Sequence, residues 1–95
     1  MKQLHYRAEA VADLRRIARD TRAAWGEDQA AKYISQLRDD VKSLREFTLR
    51  FPEVISRPGM RRMNSGKHAV LYLVSEDRVE VVRVLHVARD FEQWV

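Results

Sequence analysis

Basic side chains crowd the second half of this 95-residue chain: Arg61, Arg62, Lys67, His68, Arg83, His86 and Arg89. Imidazole can pass a proton near neutral pH, and guanidinium grips phosphate or carboxylate through two parallel N–H bonds. Together they could build an anion-binding groove or a metal-free phosphodiester-cleaving one. Other chemistries lack their residues. The histidines His5, His68 and His86 fall in no metal-ligand spacing, and the absence of cysteine removes the usual partners of zinc. Three glycines form no phosphate-cradling loop. Ser35 and Ser43 fall within a helical pattern, Ser65 and Ser75 in turns, and no carboxylate pair stands out from ordinary helix-face charge. No metal and no cofactor is expected.

Each candidate also has a structural reading. His68 and His86 are expected to be satisfied locally, since histidine is intermediate in burial. Arg83 lies inside the valine-rich run "VEVVRVLHV" and needs a partner, internal or a ligand; the reading leans toward function. The arginines of the first helix, Arg15, Arg16, Arg19 and Arg22, read as a solvated face with Asp13 and Asp20 interspersed. Trp25 reads as a core anchor, while Trp94 could pack on the sheet or serve as an exposed contact.

The elements that position these groups follow from periodicity. "KQLHY" alternates, as a short strand does. In residues 7–25, Val11, Leu14, Ile17, Ala18, Thr21 and Trp25 recur at threes and fours, the mark of one buried helix face, and Gly26 suits its stop. A second helix is predicted over about residues 28–50, with Ala30, Tyr33, Ile34, Leu37, Val41, Leu44 and Phe47 as its stripe and Pro52 as its end. The short connection makes the two an antiparallel hairpin. "SRPGM" reads as a turn; "MRRMN", "KHAVLYLV" and "RVEVVRVLHV" read as an antiparallel meander joined at "NSG" and "SED". "RDFEQW" is expected as a short helix or ordered tail. The fold class is therefore α+β, βααβββ, with a helical hairpin on one face of a mainly antiparallel sheet and the other face left to solvent or a partner. The last strand has apolar residues of both parities, so it is expected to be central or covered on both sides.

One domain spans residues 1–95, too short for two cores. The opening residues hold no apolar run and no stretch could cross a membrane, which points to a cytoplasmic protein without a membrane partner. A net charge of +4 and a pI near 9.9 suit nucleic acid, an acidic protein segment or an anionic surface. A stand-alone nucleic-acid-binding domain is one reading these values permit.

An ordered set of pieces narrows the choice: "ADL" at 12–14, "WG" at 25–26 with Ala30 after it, "PGMRRM" at 58–63, "GKHAVLY" at 66–72 and "VEVVRVLHVARD" at 79–90. In order and spacing this set resembles the ParE toxins, the gyrase-poisoning branch of the RelE/ParE superfamily, over nearly the whole chain. The resemblance implies a bacterial type II toxin without a cofactor. It also implies a ParD-like antitoxin bound in a heterotetramer or larger complex, DNA gyrase as the target, and operator DNA reached only through the antitoxin. The alternative is a RelE-like ribosome-dependent mRNA interferase. Against that branch's pattern, Arg62 and Arg89 keep basic character, but Ala69 stands in place of an arginine, Met60 in place of a lysine, and Val95 near its tyrosine. Such a groove is poorly equipped to activate a ribose hydroxyl and protonate a leaving group. The chain departs from the ParE pattern as well, with Arg7 and Ala8 where a Ser-Pro pair opens the first helix. Arginine cannot accept a bond from the free helix N–H groups, so that end is expected to fray or to lean on Glu9. The residues expected to meet antitoxin or target are Arg61, Arg62, Arg83, His86, Arg89, Phe91 and Trp94.

Overall fold

In the computed structural model, which describes residues 1–95, strand β1 (Gln3–Tyr6) leads into helices α1 (Ala8–Trp25) and α2 (Glu27–Ser43). Strands β2 (Glu53–Val54), β3 (Arg57–Ser65), β4 (His68–Val74) and β5 (Arg78–His86) follow, and a π-helical turn (Val87–Phe91) runs into the short α3 (Glu92–Trp94). The strands form one sheet in the order β1-β5-β4-β3-β2. The meander β3-β4-β5 is antiparallel, as the turn signals require, while β1 pairs with β5 in parallel. β5 is central, and both of its faces are covered.

The helical hairpin seals one face. Ala10, Leu14, Ile17, Leu37, Val41 and Leu44 meet Met63, Val70, Tyr72, Val79, Val81 and Val84 in a single core. The opposite face carries Met60, Leu71, Val82 and Leu85, and the chain's own end closes over it: Phe91 and Trp94 pack on that cluster. The expectation of a sheet face left open is corrected here. Once the strand ends, the tail follows the nearest remaining apolar surface.

Simple alternation along β5 would put Val79, Val81, Arg83, Leu85 and Val87 on one side. The register against β4 instead slips between Leu71 and Tyr72, which pair with Arg83 and Val81. One extra residue on β5 is a β-bulge, and beyond it the parity inverts. Val84 therefore joins Val79 and Val81 under the helices, while Leu85 joins Val82 beneath the tail.

Asp13 fixes this irregularity. β1 pairs with β5 only as far as Val81, opposite Tyr6, so the edge beyond has no strand partner. There the Asp13 carboxylate accepts the Val84 N–H at 2.9 Å, Arg83 Nε at 2.8 Å and Arg83 Nη2 at 3.0 Å, with Arg16 Nη2 at 3.3 Å. Asp13 is 2% exposed. Its reading as outer-face charge is thus corrected: with Ala10, Leu14 and Ile17 it lies on the buried stripe of α1.

Other boundaries shift for local reasons. α2 ends at Ser43 and not near residue 50. The Ser43 hydroxyl donates to the Asp40 carbonyl at 2.6 Å, and the next N–H groups bond three residues back, Leu44 to Val41, Arg45 to Lys42 and Glu46 to Ser43. The sheet then takes the following carbonyls: Tyr72 Oη donates to Thr48 O at 3.0 Å and Arg61 Nη1 to Phe51 O at 2.5 Å. Phe47, assigned to the stripe, is half exposed. "SRPGM" is mostly strand, because β2 pairs irregularly with β3 and the turn falls at residues 55–56. α1 starts on Arg7 without a side-chain cap. Tertiary bonds pin that end instead: Arg7 N–H donates to Val81 O at 2.9 Å, and its guanidinium meets Glu80 Oε1 at 2.8 Å.

Trp25 is 68% exposed, not a core anchor. Ile17 is the last buried residue of α1, and Gly26, at φ +91, reverses the chain directly into α2, leaving the indole at the hairpin tip.

Asp13→Ala would leave the Arg83 guanidinium and the Val84 N–H without their shared acceptor. The expected loss, read by urea denaturation, is about 3–5 kcal/mol, the range for breaking a buried pair from one side. Asp13→Asn keeps an acceptor for Val84 and is expected to lose less. Equal stability of Asp13→Ala and the parent chain would contradict the assignment.

Candidate functional site

The bulge and the tail divide the basic residues among three places. Arg61 and Arg83 serve the chain itself. Arg61 holds the connection after α2 through Phe51 O, and Arg83 holds Asp13, whose hydrogen bonds raise the arginine's pKa against the lowering effect of burial. The partner that Arg83 needed is internal.

Arg62, Phe91 and Trp94 gather on the tail face. The Arg62 guanidinium lies over the Phe91 ring at 4.0 Å, with Nε donating to Asn64 Oδ1 at 2.9 Å. Arg57, which was not among the expected residues, lies over Trp94 at 3.8 Å and donates to its carbonyl at 2.7 Å. The result is an apolar patch of Met60, Leu71, Val82 and Leu85, lidded by two aromatic rings that two guanidinium groups cover in turn. Guanidinium on an aromatic face gives an amphipathic surface, able to take an apolar side chain and an acidic one side by side.

His86 and Arg89 stand apart from these. Because the bulge inverts the parity, His86 emerges on the helix side, opposite His68 across the β4–β5 ladder. The two imidazoles meet edge to face, 5.4 Å between centroids. The Tyr33 hydroxyl of α2 lies 2.6 Å from His68 Nδ1 and accepts the Lys67 N–H at 2.9 Å. Gly66 makes this closeness possible. At φ +56 it turns the β3–β4 hairpin, and a Cβ there would sit 2.6 Å from the Tyr33 oxygen. His68 is 7% exposed, and burial, followed by the His86 and Arg89 charges, lowers its pKa to about 4. Burial raises the pKa of Tyr33. A neutral, tightly bonded imidazole beside an undissociated phenol is a set of oriented hydrogen-bonding groups and a poor proton shuttle at neutral pH. No three His, Asp or Glu side chains converge as a metal site would require.

A model of the family described as ParE toxin of type II toxin-antitoxin system, parDE, matches residues 4–91. The chain belongs to the ParE toxin family. A similar relative is Toxin ParE1 of Caulobacter vibrioides, 38% identical over 87 residues that cover 90% of each chain. The fold is similar to that of a chain in the chromosomal ParDE TA system from P. aeruginosa, with a TM-score of 0.80 at 20% identity over 90% of this chain and 96% of that one. A chain of the toxin-antitoxin complex RelBE2 from Mycobacterium tuberculosis is similar at a TM-score of 0.67 and 17% identity, covering 90% and 96%. The family and the βααβββ order are thus as the resemblance implied, with β2 as an added two-residue edge strand.

Ala69 is fully buried and Met60 lies in the apolar cluster beneath the tail, so neither position presents a cation. Trp25, Lys32 and Tyr33 join His68, His86 and Arg89 around one cleft, a grouping the linear sequence concealed because α1, α2, β4 and β5 each contribute to it.

His68 is held neutral in the fold, whereas an unfolded histidine titrates near pH 6.5. As pH falls from about 6.5 toward about 4, the unfolded chain takes up a proton that the folded chain does not, so stability falls across that window. His68→Asn keeps an acceptor for Tyr33 and should remove this component of the slope, measured as the difference between the two urea-midpoint profiles. Parallel profiles would contradict the assignment.

Proposed function

We propose that this chain is a non-enzymatic toxin that inhibits DNA gyrase in the bacterial cytoplasm and is neutralised by direct binding of a ParD-like antitoxin. The observation that carries the reading is the ParE family match over residues 4–91, supported by a likeness in fold to a chain of a ParDE system. The geometry supports the absence of cleavage chemistry. Arg62 is engaged with Phe91 and Asn64, Met60 and Ala69 supply no cation, and the neutral His68 is bonded to Tyr33.

The tail face supports the partner surface. Phe91 and Trp94, half-buried, with Arg62 and Arg57 over their rings form a mixed aromatic and cationic surface, matched in chemistry by an amphipathic acidic segment of an antitoxin. His86 and Arg89 line the cleft on the other side of the sheet, and Arg61 and Arg83 contribute by holding the backbone. The net charge of +4 speeds encounter with an acidic partner. Operator DNA is reached through the antitoxin, in a heterotetramer or larger assembly.

Induced expression without the antitoxin, followed by damage signalling and translation in parallel, tests the target. Damage signalling with translation intact is expected. A prompt translation stop with cleaved messages would move the chain to the ribonuclease branch. For the surface, Trp94→Ala and Arg62→Ala are expected to keep the circular dichroism spectrum and each to weaken antitoxin binding by about tenfold or more, as buried aromatic and arginine anchors do. Unchanged affinity in both would place the antitoxin elsewhere.

A further inference from the structure

The cleft on the helix side has no part in the reading above. It has a volume of about 670 Å³, within the range of small-ligand sites, and it opens between the tip of the helical hairpin and the adjoining ends of β4 and β5. Its charged lining is one-sided. Lys32, Lys67 and Arg89 face a single carboxylate, Asp20, and Arg89 also meets its neighbour Asp90 at 3.2 Å.

The histidine pair adds oriented donors. The Tyr33 hydroxyl lies 2.6 Å from His68 Nδ1 and 3.5 Å from the Ser65 carbonyl, so from the hydrogen-bond network we assign its proton to the histidine contact. That leaves the His68 proton on Nε2. His86 Nδ1 accepts the Arg89 N–H at 3.2 Å, which puts the His86 proton on Nε2 as well. No protein group bonds either Nε2. The two histidines on adjacent strands thus line the same cleft as Lys32, Lys67 and Arg89, and their rings cannot turn away without losing their Nδ1 bonds. The neutrality of His68 near pH 7 keeps this tautomer in place.

Trp25 makes the other wall. Its indole is 68% exposed and lines the same cleft as Tyr33 and Ile17. Base stacking on an aromatic ring needs such a platform, and phosphate needs the cations and fixed N–H groups beside it. We propose that this cleft binds a nucleotide, with the base stacked on Trp25 and the phosphate held by Lys67, Arg89 and the paired Nε2–H groups of His68 and His86. The nucleotide can be free or part of a nucleic-acid strand; the chemistry of recognition is the same. The site is on the helix side of the sheet, separate from the tail face proposed for the antitoxin.

The test is calorimetric titration of the full chain with adenosine 5′-monophosphate, adenosine, inorganic phosphate and a short single-stranded oligoadenylate. The monophosphate is expected to bind at least about tenfold more tightly than adenosine or phosphate alone, because stacking and charge-assisted bonds each contribute at that level. Trp25→Ala and Lys67→Gln are each expected to weaken it by about tenfold, while Trp25→Phe retains stacking and most of the affinity. Lys42→Gln, away from the cleft, should leave it unchanged. Binding of the oligonucleotide at least as tightly as the monophosphate supports the site and assigns its ligand to a strand. Binding of the monophosphate alone supports it and assigns a free nucleotide. The proposal is overturned if neither binds, if phosphate alone matches the monophosphate, or if Trp25→Ala and Lys67→Gln bind as the parent chain does. Trp25 is exposed, so Trp25→Ala is expected to fold, and Trp25→Phe separates a lost platform from a lost fold.

Discussion

A single buried carboxylate governs how this sheet is divided. Asp13 reaches from α1 to the edge of β5 where β1 has ended, and there it accepts the Val84 N–H and both donors of the Arg83 fork. A buried carboxylate is costly unless its oxygens are filled and its charge is matched. Here Arg83 supplies the charge, Val84 and Arg16 supply further donors, and the carboxylate in turn satisfies a backbone N–H that the end of β1 leaves without a strand partner. The ion pair and the irregular strand therefore need each other.

The consequence is a change of side for every residue after the bulge. Without it, His86 would emerge beneath the tail and Leu85 beneath the helices. With it, Leu85 completes the apolar patch that Phe91 and Trp94 cover, and His86 meets His68 beside Tyr33. The tail face and the cleft are thus two outcomes of one register slip. The tail face has the mixed apolar and cationic character of a protein interface. The cleft has the fixed donors and exposed ring of a ligand site. In a chain of 95 residues, whose core is thin, separate faces let two kinds of contact coexist without one being built from the other.

Most of the fold was legible from the sequence because its signals are local. The stripes Leu14–Ile17 and Leu37–Val41–Leu44 and the turns at residues 64–66 and 75–77 act over a few residues, and they yielded the hairpin, the meander and the central place of β5. What the sequence concealed acts over long separations. Asp13 looks like helix-surface charge until its place beside Leu14 is read together with an arginine 70 residues later. The bulge leaves no mark in "VEVVRVLHV", since valines fit either face. The end of α2 depends on carbonyls that Tyr72 and Arg61 take from across the sheet. Trp25 has the spacing of a core residue but lies past the reach of the sheet. Among the candidate site residues, sequence identified the basic groups but not their division: Arg61 and Arg83 turned inward, Arg62 joined the aromatic tail, and His86 and Arg89 joined a cleft whose other walls come from the helices.

The dependence of the sheet's division on one ion pair is open to a direct thermodynamic measurement, a double-mutant cycle over Asp13 and Arg83. Urea unfolding of the parent chain, Asp13→Ala, Arg83→Ala and the double variant gives the coupling between the two side chains. The account predicts a coupling of about 1.5 kcal/mol or more, as expected for a bidentate pair largely withdrawn from water, with the double variant close in stability to the worse single one. Additive losses, within about 0.5 kcal/mol, would show that the two residues act independently and that the bulge is held by something else.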